Sequence, residues 1–544
     1  GNDILSSSYG TVGGGAMNII SASNYSTIAG GTNNEIKSKN LSLSGHSTIS
    51  GGEYNIITSS CYTSIVGGRL NTSSAAYSFI GGGCKNTVNS PGGIIVGGCY
   101  NLAAGSDNGV FIGGGTNNTS SCACSFIGGG TGNLVNSGLS AVVGGIRNTA
   151  SAENSFIGGG TCNLTVSGYN STIVGGTLNT SSGACSFIGG GARNIASGTN
   201  SSVVGGTLNT SSGACSFIGG GKENEAGGAY SSIVGGLQNC TTAARATIGG
   251  GRLNVNESID GTIAGGASNC ISTYNINTIG GGCANVILGG CLSTIGGGWN
   301  NTIPYFSPYT TIGGGRSNTI SGSFGKQTNQ STIAGGFCNS ILESEAGSIL
   351  GGCYNIIKLE ADASVVVGGT LNTASGACSF IGGGQGNQLL QSAHSVIGGG
   401  CCNYISGTCA LSAFIGGGKS NTVFANCSLI VGGVSNCIAG MESGACSVIV
   451  GGNTNKICAA DAFIGGGSEN IICREVMSGT AFHATIVGGR CNCTRANCSF
   501  IGGGKSNGMV CSAISSVIVG GTLNTSSAAC SFIGGGTNNT SSAA

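Results

Sequence analysis

Apolar residues recur along the chain at two fixed places in a unit of 15 or 16 residues. An Ile or Val stands two residues before a pair of glycines in every unit, and a second, more variable place follows two residues after a recurring Asn. The clearest copies are identical over 176–191 and 206–221, with a close variant over 521–536. Short β-branched segments bounded by Gly-Gly turns are typical of strands, and proline is nearly absent. The pattern therefore predicts an all-β chain that winds through many similar turns.

The glycine pairs divide the chain into 33 units, from Gly14 and Gly15 to Gly535 and Gly536. If each unit is one turn of a parallel β-solenoid, equivalent residues stack about 4.8 Å apart. Between Gly129 and Gly281 the residue before the pair alternates between Gly and Val or Ala in successive units, so the true repeat is two turns. We predict one continuous parallel β-solenoid domain over 1–544, right- or left-handed.

Positions are counted here backward from the first glycine of each pair, so that position −1 directly precedes it. The Ile or Val at position −2 is predicted to face inward, and so is the residue two after the Asn. Members of the first inward column include Ile173, Ile188, Ile218, Ile381 and Ile533, and members of the second include Ile20, Ile36, Val88, Ile303, Ile405 and Ile472.

An Asn stands three residues after the second glycine in every unit. A short amide side chain suits a turn ladder, where it pairs with backbone groups and with the Asn of the next turn, and where left-handed backbone is tolerated. We predict such a ladder at positions that include Asn179, Asn209, Asn224, Asn372 and Asn524. The alternative is glycosylation, because an Asn-Thr-Ser acceptor pattern occurs at Asn71, Asn118, Asn179 and Asn524.

If position −2 faces inward, positions −5, −3 and −1 share the opposite face of the strand. Phe occupies position −3 in eleven units, and position −1 is Gly in each of them. Large residues that alternate with small ones are typical of a packed interface. We therefore predict lateral self-association through this face, with a third layer inside one chain as the alternative. The predicted interface includes Cys185, Phe187, Cys215, Phe217, Phe380, Phe500 and Phe532.

The stretch from Ser171 to Ser181, STIVGGTLNTS, resembles the glycine-rich β-roll repeats of trimeric autotransporter adhesin heads and of phage and large-virus fibres. The resemblance covers essentially the whole chain. It implies an adhesive or spacer shaft, commonly trimeric, at a cell or virion surface. The Gly-Gly-x-x-Asn unit and the many cysteines differ from the adhesin pattern.

The chain has 28 cysteines, and eight of them stand at position −5. Stacking about 4.8 Å apart lies within the Cα range of a disulfide, although parallel register holds the Cβ atoms slightly too far apart. The alternatives are disulfides and small buried hydrophobic residues. The candidate disulfide partners are Cys84 with Cys99, Cys427 with Cys446, and Cys458 with Cys473. Cys122-x-Cys124 and Cys491-x-Cys493 are weak signals for zinc.

Charge and catalytic chemistry are sparse in this sequence. Charged residues are 6% of the chain and the formal net charge is +1, so no nucleic-acid partner is predicted, and the absence of a long apolar run predicts no membrane insertion. The histidines and aspartates are scattered, which predicts no catalytic, cofactor or metal site. They are His46, His394 and His483, with Asp3, Asp107, Asp260, Asp362 and Asp461.

Longer units predict loops on one side of the solenoid, at 35–47, 320–331, 437–446 and 471–484. Insertions of this kind are often where a repeat protein binds, and solvated decoration is the alternative. Their charged and bulky residues include Lys37, Lys39, His46, Lys326, Glu442, Arg474, Glu475 and His483.

These patterns predict a non-enzymatic structural fibre or filament shaft that is extracellular or on a cell or virion surface. Its predicted partners are further copies of itself, as a homotrimer or another homo-oligomer, and a host-surface glycan or receptor. The open edges of the end turns need cover. The alternatives are head-to-tail stacking of copies and flanking capping domains that are missing from this sequence. The other functional hypotheses are an ice- or carbohydrate-binding solenoid that uses a Thr array, and a tailspike polysaccharide depolymerase.

Overall fold

Each turn of the protein folds as two very short parallel strands. The computed structural model describes residues 1–38, 45–106, 108–272, 275–407, 410–439, 446–473 and 481–542. Over these residues the regular elements are all strands, and equivalent strands pair in parallel about 16 residues apart, so the prediction of an all-β parallel solenoid is confirmed. The chain forms two compact units, Gly1–Asp260 and Gly261–Ala544, and each is described by itself. The continuity of one domain over 1–544 stays a prediction.

Two sheets run through each unit. The glycine-side sheet consists of the strands that end just before a glycine pair, and the asparagine-side sheet consists of the strands that begin just after the Asn. In both sheets a strand pairs with the equivalent strand of the next turn, as Phe187 does with Ser202 and Thr180 with Ile195. A third row of isolated parallel bridges links the residues that follow the glycine pairs, such as Thr177, Ala192 and Thr207.

In the first unit the asparagine-side strands are Asp3–Leu5, Ile19–Ser21, Glu35–Lys37, Ile56–Thr58, Thr72–Ser73, Thr87–Val88, Leu102–Ala103, Thr119–Ser120, Leu134–Val135, Thr149–Ala150, Leu164–Thr165, Thr180–Ser181, Ile195–Ala196, Thr210–Ser211, Glu225–Ala226, Cys240–Thr241 and Val255–Asn256. Its glycine-side strands are Thr11–Val12, Thr27–Ile28, Thr48–Ile49, Ser64–Ile65, Phe79–Ile80, Ile94–Ile95, Phe111–Ile112, Phe126–Ile127, Ala141–Val142, Phe156–Ile157, Thr172–Ile173, Phe187–Ile188, Ser202–Val203, Phe217–Ile218, Ser232–Ile233 and Thr247–Ile248.

In the second unit the asparagine-side strands are Cys270–Ile271, Val286–Ile287, Thr302–Ile303, Thr319–Ser321, Ser340–Leu342, Ile356–Ile357, Thr373–Ala374, Gln388–Leu390, Tyr404–Ser406, Thr422–Val423, Cys437–Ile438, Lys456–Cys458, Ile471–Cys473, Cys493–Thr494, Gly508–Met509, Thr525–Ser526 and Thr540–Ser541. Its glycine-side strands are Thr262–Ile263, Thr278–Ile279, Thr294–Ile295, Thr311–Ile312, Thr332–Ile333, Ser348–Ile349, Val365–Val366, Phe380–Ile381, Val396–Ile397, Phe414–Ile415, Leu429–Ile430, Val448–Ile449, Phe463–Ile464, Thr485–Ile486, Phe500–Ile501, Val517–Ile518 and Phe532–Ile533.

The core of each unit is a narrow stack between the two sheets. The structure places Ile173, Ile188, Ile218 and Ile381 in it, fully buried, and Ile533 in the last complete turn is 8% exposed. The second inward column is buried as well, at Ile20, Ile36, Val88, Ile303, Ile405 and Ile472.

Serine, alanine or threonine fills the core in most turns where the second inward column has no large apolar side chain. Ser211 contacts the position −4 serine of the following strand, with 2.6 Å between the Oγ atoms of Ser211 and Ser216. Ser216 also donates to the carbonyl of Gly213. Position −4 is therefore a third inward column. Its hydroxyl group has partners of this kind at Ser216, whereas the buried hydroxyls of Ser171, Ser201 and Ser231, at position −4 of the turns with Val at position −1, make no hydrogen bond.

Tight corners join the strands. The residue at position −5 and the residue directly before the Asn both adopt left-handed backbone, with φ of 54° at Cys185 and 55° at Arg193. The Asn itself is absent from the residues with positive φ. An Asn tolerates left-handed backbone. In the structure, however, the left-handed residue is the one directly before the Asn, and the Asn side chain is buried inside the coil.

Candidate functional site

The Asn column forms a continuous hydrogen-bond ladder inside each unit. Asn209 is fully buried, and its Nδ2 donates to the carbonyls of Gly205 in its own turn, at 2.9 Å, and Gly221 in the next turn, at 3.0 Å. Its Oδ1 accepts from the backbone N–H and from Nδ2 of Asn224, at 3.0 and 3.1 Å. Asn179, Asn372 and Asn524 make the same pair of bonds to glycine carbonyls.

This arrangement disfavours the glycosylation alternative. The acceptor-pattern residues Asn71, Asn118, Asn179 and Asn524 are all fully buried. In each of them Nδ2, the atom that a glycan would modify, donates to two glycine carbonyls, as in Asn71 with Gly67 and Gly83. A sugar on that nitrogen would break both bonds and would have to enter the coil.

The second glycine of each pair is required by the distance between turns. Gly191 has a φ of 87°, and a Cβ built on it would overlap the carbonyl oxygen of Gly206 and lie 2.7 Å from Nδ2 of Asn194. A Cβ on the first glycine, Gly190, would meet no heavy atom within 4 Å. The second glycine thus allows the backbone of the next turn to approach the Asn ladder closely. The first glycine has enough space around it for a side-chain carbon.

The outer face of the glycine-side sheet carries the predicted interface phenylalanines. In the first unit an apolar stripe runs over eight successive turns, with Phe at position −3 in one turn and Val at position −1 in the next. Phe187 is 36% exposed and Val174 is 50% exposed. We call this surface the Phe/Val stripe, and its residues are Phe126, Val143, Phe156, Val174, Phe187, Val204, Phe217 and Val234.

Pairing of Phe with Gly on this face has a cause within one chain. In the turn of Phe187, a Cβ built on Gly189 would lie 3.5 Å from Cε1 of the phenyl ring and would overlap the carbonyl oxygen of Val204 in the next turn. The ring therefore lies beside the glycine two residues further on. The pairing of large with small residues, predicted from the sequence to reflect a packed interface, is therefore also explained by a contact within one turn. Phe380, Phe500 and Phe532 in the second unit have the same neighbour, at Gly382, Gly502 and Gly534.

The cysteines at position −5 lie at a corner of the coil and not within the strand that carries Phe. Each glycine-side strand is two residues long, so the chain has already turned at position −5, where Cys185 and Cys215 have φ of 54° and 55°. Their side chains interact along the corner column itself, since Nδ2 of Asn170 and of Asn200 lies 3.9 Å from Sγ of Cys185 and Cys215, respectively. The face shared by Cys and Phe is therefore corrected to two separate columns.

The same corner column holds a stack of aromatic rings near the start of the first unit. Five successive turns place their rings 4.9–5.2 Å apart and within 11° of parallel. Equal backbone at each corner is what aligns the rings. The stacked residues are Tyr9, Tyr25, His46, Tyr62 and Tyr77.

The six candidate disulfide cysteines are thiols in the structure. Cys84 pairs in parallel register with Cys99, and Cys458 with Cys473. The Cys473 thiol hydrogen bonds to Cys458, and the Cys446 thiol to Cys427. These hydrogen bonds and burial raise the pKa of Cys473 and of Cys446 above the usual range of a thiol. The stacking of the three pairs is as expected, and the sulfur atoms meet as hydrogen-bonded thiols in two of them.

The CxC motif at Cys491 and Cys493 was the later of two weak zinc signals in the sequence. In the ranges that the structure describes, no three His, Cys, Asp or Glu side chains are grouped to hold a metal ion. Cys491 donates to Oε2 of Glu469 at 3.1 Å, which raises its pKa, and Cys493 lies on a strand, where burial raises its pKa. The two cysteines of that CxC motif therefore face different surroundings.

Two ionic contacts along the corner column were not found from the sequence. His483 Nε2 lies 3.9 Å from Oδ2 of Asp461, and Arg245 binds Asp260 with both side chains extended along the column, Nη2 to Oδ2 at 2.8 Å. In each contact the two residues stand at position −5 of adjacent turns. Counting positions back from the glycine pairs would therefore have identified both contacts from the sequence. His46 and His394 lie in the same type of corner.

The insertion at 320–331 is a small hairpin, closed by an antiparallel bridge between Ser323 and Lys326. Phe324 at its tip is 92% exposed, and Lys326 Nζ lies 3.2 Å from Glu360. Glu360 also lines a surface groove of about 610 Å³ with Leu359 and neighbouring residues. Lys37 of the first insertion pairs with Glu35 at 2.9 Å. Lys39, Asp107, Glu442, Arg474 and Glu475 lie outside the described residues.

Comparison with known proteins adds no relative to this description. The chain matches no model of a known protein family and no curated protein sequence. Within the residues described, no helix has the length and apolar character needed to cross a membrane. The fold and the surfaces above are therefore the basis for a functional proposal.

Proposed function

We propose that this protein is a non-enzymatic, fibre-like structural protein whose copies associate side by side through the Phe/Val stripe. The solenoid fold is consistent with such a role. The observation that carries the proposal is the stripe itself, an unbroken apolar row on a regular sheet. Seven steps of about 4.8 Å make it roughly 34 Å long.

Exposed apolar patches of this extent are uncommon on monomeric proteins and often mark interaction sites. A second copy is the partner that fits best, because it offers the same stripe with the same spacing between turns. The corner column beside the stripe is uncharged over these turns, at Cys124, Leu139, Asn154, Asn170, Cys185, Asn200, Cys215 and Tyr230. Packing two such faces would therefore bury little charge, which limits the desolvation cost.

The proposed assembly is a homotrimer or another homo-oligomer. The resemblance to adhesin heads and virus fibres supports a place outside the cell or on a virion, and a glycan or receptor as a further ligand. Head-to-tail stacking of copies belongs to the same proposal.

The test replaces both Phe187 and Phe217 by Ser in the full chain and measures mass by analytical ultracentrifugation. We expect an oligomeric wild type and a smaller particle for the variant, with the β-sheet circular dichroism retained. The matched control replaces Thr180 and Thr210 by Ala in the same turns, on the outer face of the other sheet. A wild-type protein that sediments as a monomer at all accessible concentrations would refute lateral association.

A second candidate function rests on a row of threonines in the second unit. Five successive glycine-side strands place Thr262, Thr278, Thr294, Thr311 and Thr332 in register. Position −1 in these turns is Gly or Ala, so the row is flat and not interrupted by Phe. A flat Thr row with even spacing suits a repeating surface such as ice or a polysaccharide. Inhibition of ice recrystallisation, or binding to insoluble polysaccharide, that is lost in Thr278→Lys with Thr294→Lys would support it, and inactive wild-type protein would reject it.

A further inference from the structure

Four cysteines lie together on the outer face of the asparagine-side sheet in the second unit. They belong to four successive strands, Cys437–Ile438, Lys456–Cys458, Ile471–Cys473 and Cys493–Thr494. Ile438, Ile457 and Ile472 of these strands are buried, so the residues beside them point outward. Cys458 and Cys473 are directly opposite each other in the register. Cys437 and Cys493 lie one strand away on either side and two residues nearer the strand start, opposite Lys456 and Ile471.

Positive charge flanks the central pair. Lys456 lies on the same strand and face as Cys458, two residues before it. Arg495 follows the strand that pairs with Ile471–Cys473, at the place that continues the register of Cys473. Both cations favour the thiolate form, Lys456 at Cys473 and Arg495 at Cys493. The pair therefore has two thiols in contact and nearby charge that would offset a negative complex.

The spacing of these thiols suits a bridging metal ion better than a disulfide. Neighbouring strands are about 4.7–4.9 Å apart, and parallel register keeps the two Cβ atoms near that spacing. A disulfide requires Cβ atoms about 3.5–4.5 Å apart. A metal–thiolate bond is about 2.3 Å long for zinc, so two such bonds in a line would hold the sulfur atoms about 4.6 Å apart, close to the strand spacing.

We propose that Cys458 and Cys473 bind one soft monovalent cation, Cu(I) or Ag(I), in linear coordination between their two sulfur atoms. Thiolate ligands select soft ions of this kind. Both thiols lose their protons, two metal–sulfur bonds form, and the product is an S–M–S unit of net charge −1 with two protons released to solvent. Nothing is oxidised or reduced. Two ligands suffice for such an ion, so the site does not need the greater number of ligands that harder metals require.

The raised pKa of Cys473 has a consequence for binding. Its hydrogen bond to Cys458 and its burial favour the protonated thiol. The metal must therefore compete with protons, and the affinity should increase as the pH rises. Lys456 and Arg495 act in the opposite sense and stabilise the anionic product.

The other stacked pairs are less suited to this ion. Cys427 and Cys446 are in contact, but the Asp461 carboxylate acts on Cys446 and raises its pKa further, so the anionic complex would meet like charge. Beside Cys84 and Cys99, the Lys85 ammonium donates to the Tyr100 hydroxyl at 3.0 Å. The pair at Cys458 and Cys473 is the one that combines thiol contact with flanking cations and two further thiols.

The experiment uses the full reduced chain, freed of reductant under anaerobic conditions in chloride-free buffer. One equivalent of silver nitrate is added, the remaining thiols are alkylated, and each cysteine is mapped by peptide mass spectrometry. We expect loss of alkylation at Cys458 and Cys473 together, larger than at any other described cysteine. Raising the pH should strengthen the protection.

Variants separate the pair from a general affinity of thiols for silver. Cys473→Ser should restore alkylation of Cys458, and Cys458→Ser should restore that of Cys473. The matched control is Cys353→Ser, because Cys353 is half-buried and bridges Phe337 and Thr370 instead of another cysteine. That control should leave the protection unchanged, and circular dichroism checks that every variant retains the β-sheet signal.

Two results would overturn the proposal. One is alkylation of Cys458 and Cys473 in the presence of silver at the same rate as in its absence. The other is protein in which the two cysteines are joined by a disulfide before any metal is added, since the sulfur atoms would then lie too close for a linear bridge.

Discussion

Removal of one rung of the Asn ladder tests how the turns are held together. The change is Asn209→Ala, in the middle of the first unit. It deletes two donor bonds, to the carbonyls of Gly205 and Gly221, and removes the acceptor of the buried Asn224 backbone N–H. The carbonyl of Gly221 keeps a second partner, the N–H of Thr207.

A fourth bond, from Nδ2 of Asn224 to Oδ1 of Asn209, is also lost, and the magnitude follows from these four bonds. A hydrogen bond contributes about 1 kcal/mol net, and a buried donor left without an acceptor costs about 1–3 kcal/mol. Because the two lost donor bonds partly overlap with that cost, we expect destabilisation of about 2–4 kcal/mol around this turn. At about 1.4 kcal/mol for each factor of ten, amide exchange limited by local opening should accelerate about 30- to 700-fold.

The assay is hydrogen–deuterium exchange by mass spectrometry on peptides that cover 205–224. Local exchange is preferred to a global melting curve, because a repeat protein does not unfold as one two-state unit. Thr210→Ala is the control, since Thr210 lies on the outer face of the adjoining strand. Exchange at Asn224 that changes less than the control would refute the ladder as a source of stability.

Three further predictions concern other columns. Gly191→Ala should prevent local folding because its Cβ would overlap Gly206, whereas Gly190→Ala should be tolerated. Thermal melts of the two variants test this, and coinciding melts would contradict it. The Arg245 hydrogen bond holds the pKa of Asp260 below its usual value, so its stabilising contribution is present above the unfolded-state pKa near 4 and is lost as the pH falls through the lower folded-state value. Asp260→Asn should remove that part of an acid titration followed by exchange at 245–260, and an unchanged profile would argue against it. Tyr62→Ala should lower the free energy of unfolding by about 0.5–1.5 kcal/mol for each ring pair that it removes. The control is Tyr230→Ala, because Tyr230 lies at a corner between Cys215 and Arg245, and equal effects of the two variants would show that the ring stack does not contribute to stability.

The fold could be predicted from the sequence because every turn repeats the same requirements. Ile188 must be inward, Gly191 must have no side chain, and Asn194 must lie where its amide reaches backbone groups of its own turn and of the next turn, so the period alone fixes the register. The exact bonds of the Asn could not be derived. They depend on which carbonyls converge on Nδ2, and that is set by the positions of glycines in two different turns.

The outer surface was harder to predict because strand alternation was extended too far. Position −5 was assigned to the strand of Phe187, but the strand is only two residues long and Cys185 is already at a left-handed corner. The volume pairing of Phe187 with Gly189 was assigned to a second chain, although the ring and the glycine are neighbours in one strand. A sequence pattern reports that two positions are coupled and does not report whether the coupling is within a chain or between chains.

Stability and recognition are separated in this architecture, and the separation indicates where function should be sought. The Ile or Val at position −2 and the Asn recur in each turn, and the Asn bonds to the adjacent turns, so each turn depends mainly on its neighbours. The outward positions are free to differ, and identical backbone aligns them into straight columns about 4.8 Å per step. We therefore expect a ligand or partner to be recognised by a surface that keeps one chemistry over several turns, as we propose for the Phe/Val stripe, the Thr row and the thiols of Cys458 and Cys473. Substitutions that interrupt a column should abolish recognition while leaving the coil intact, whereas the same substitutions in a turn outside a column should change neither.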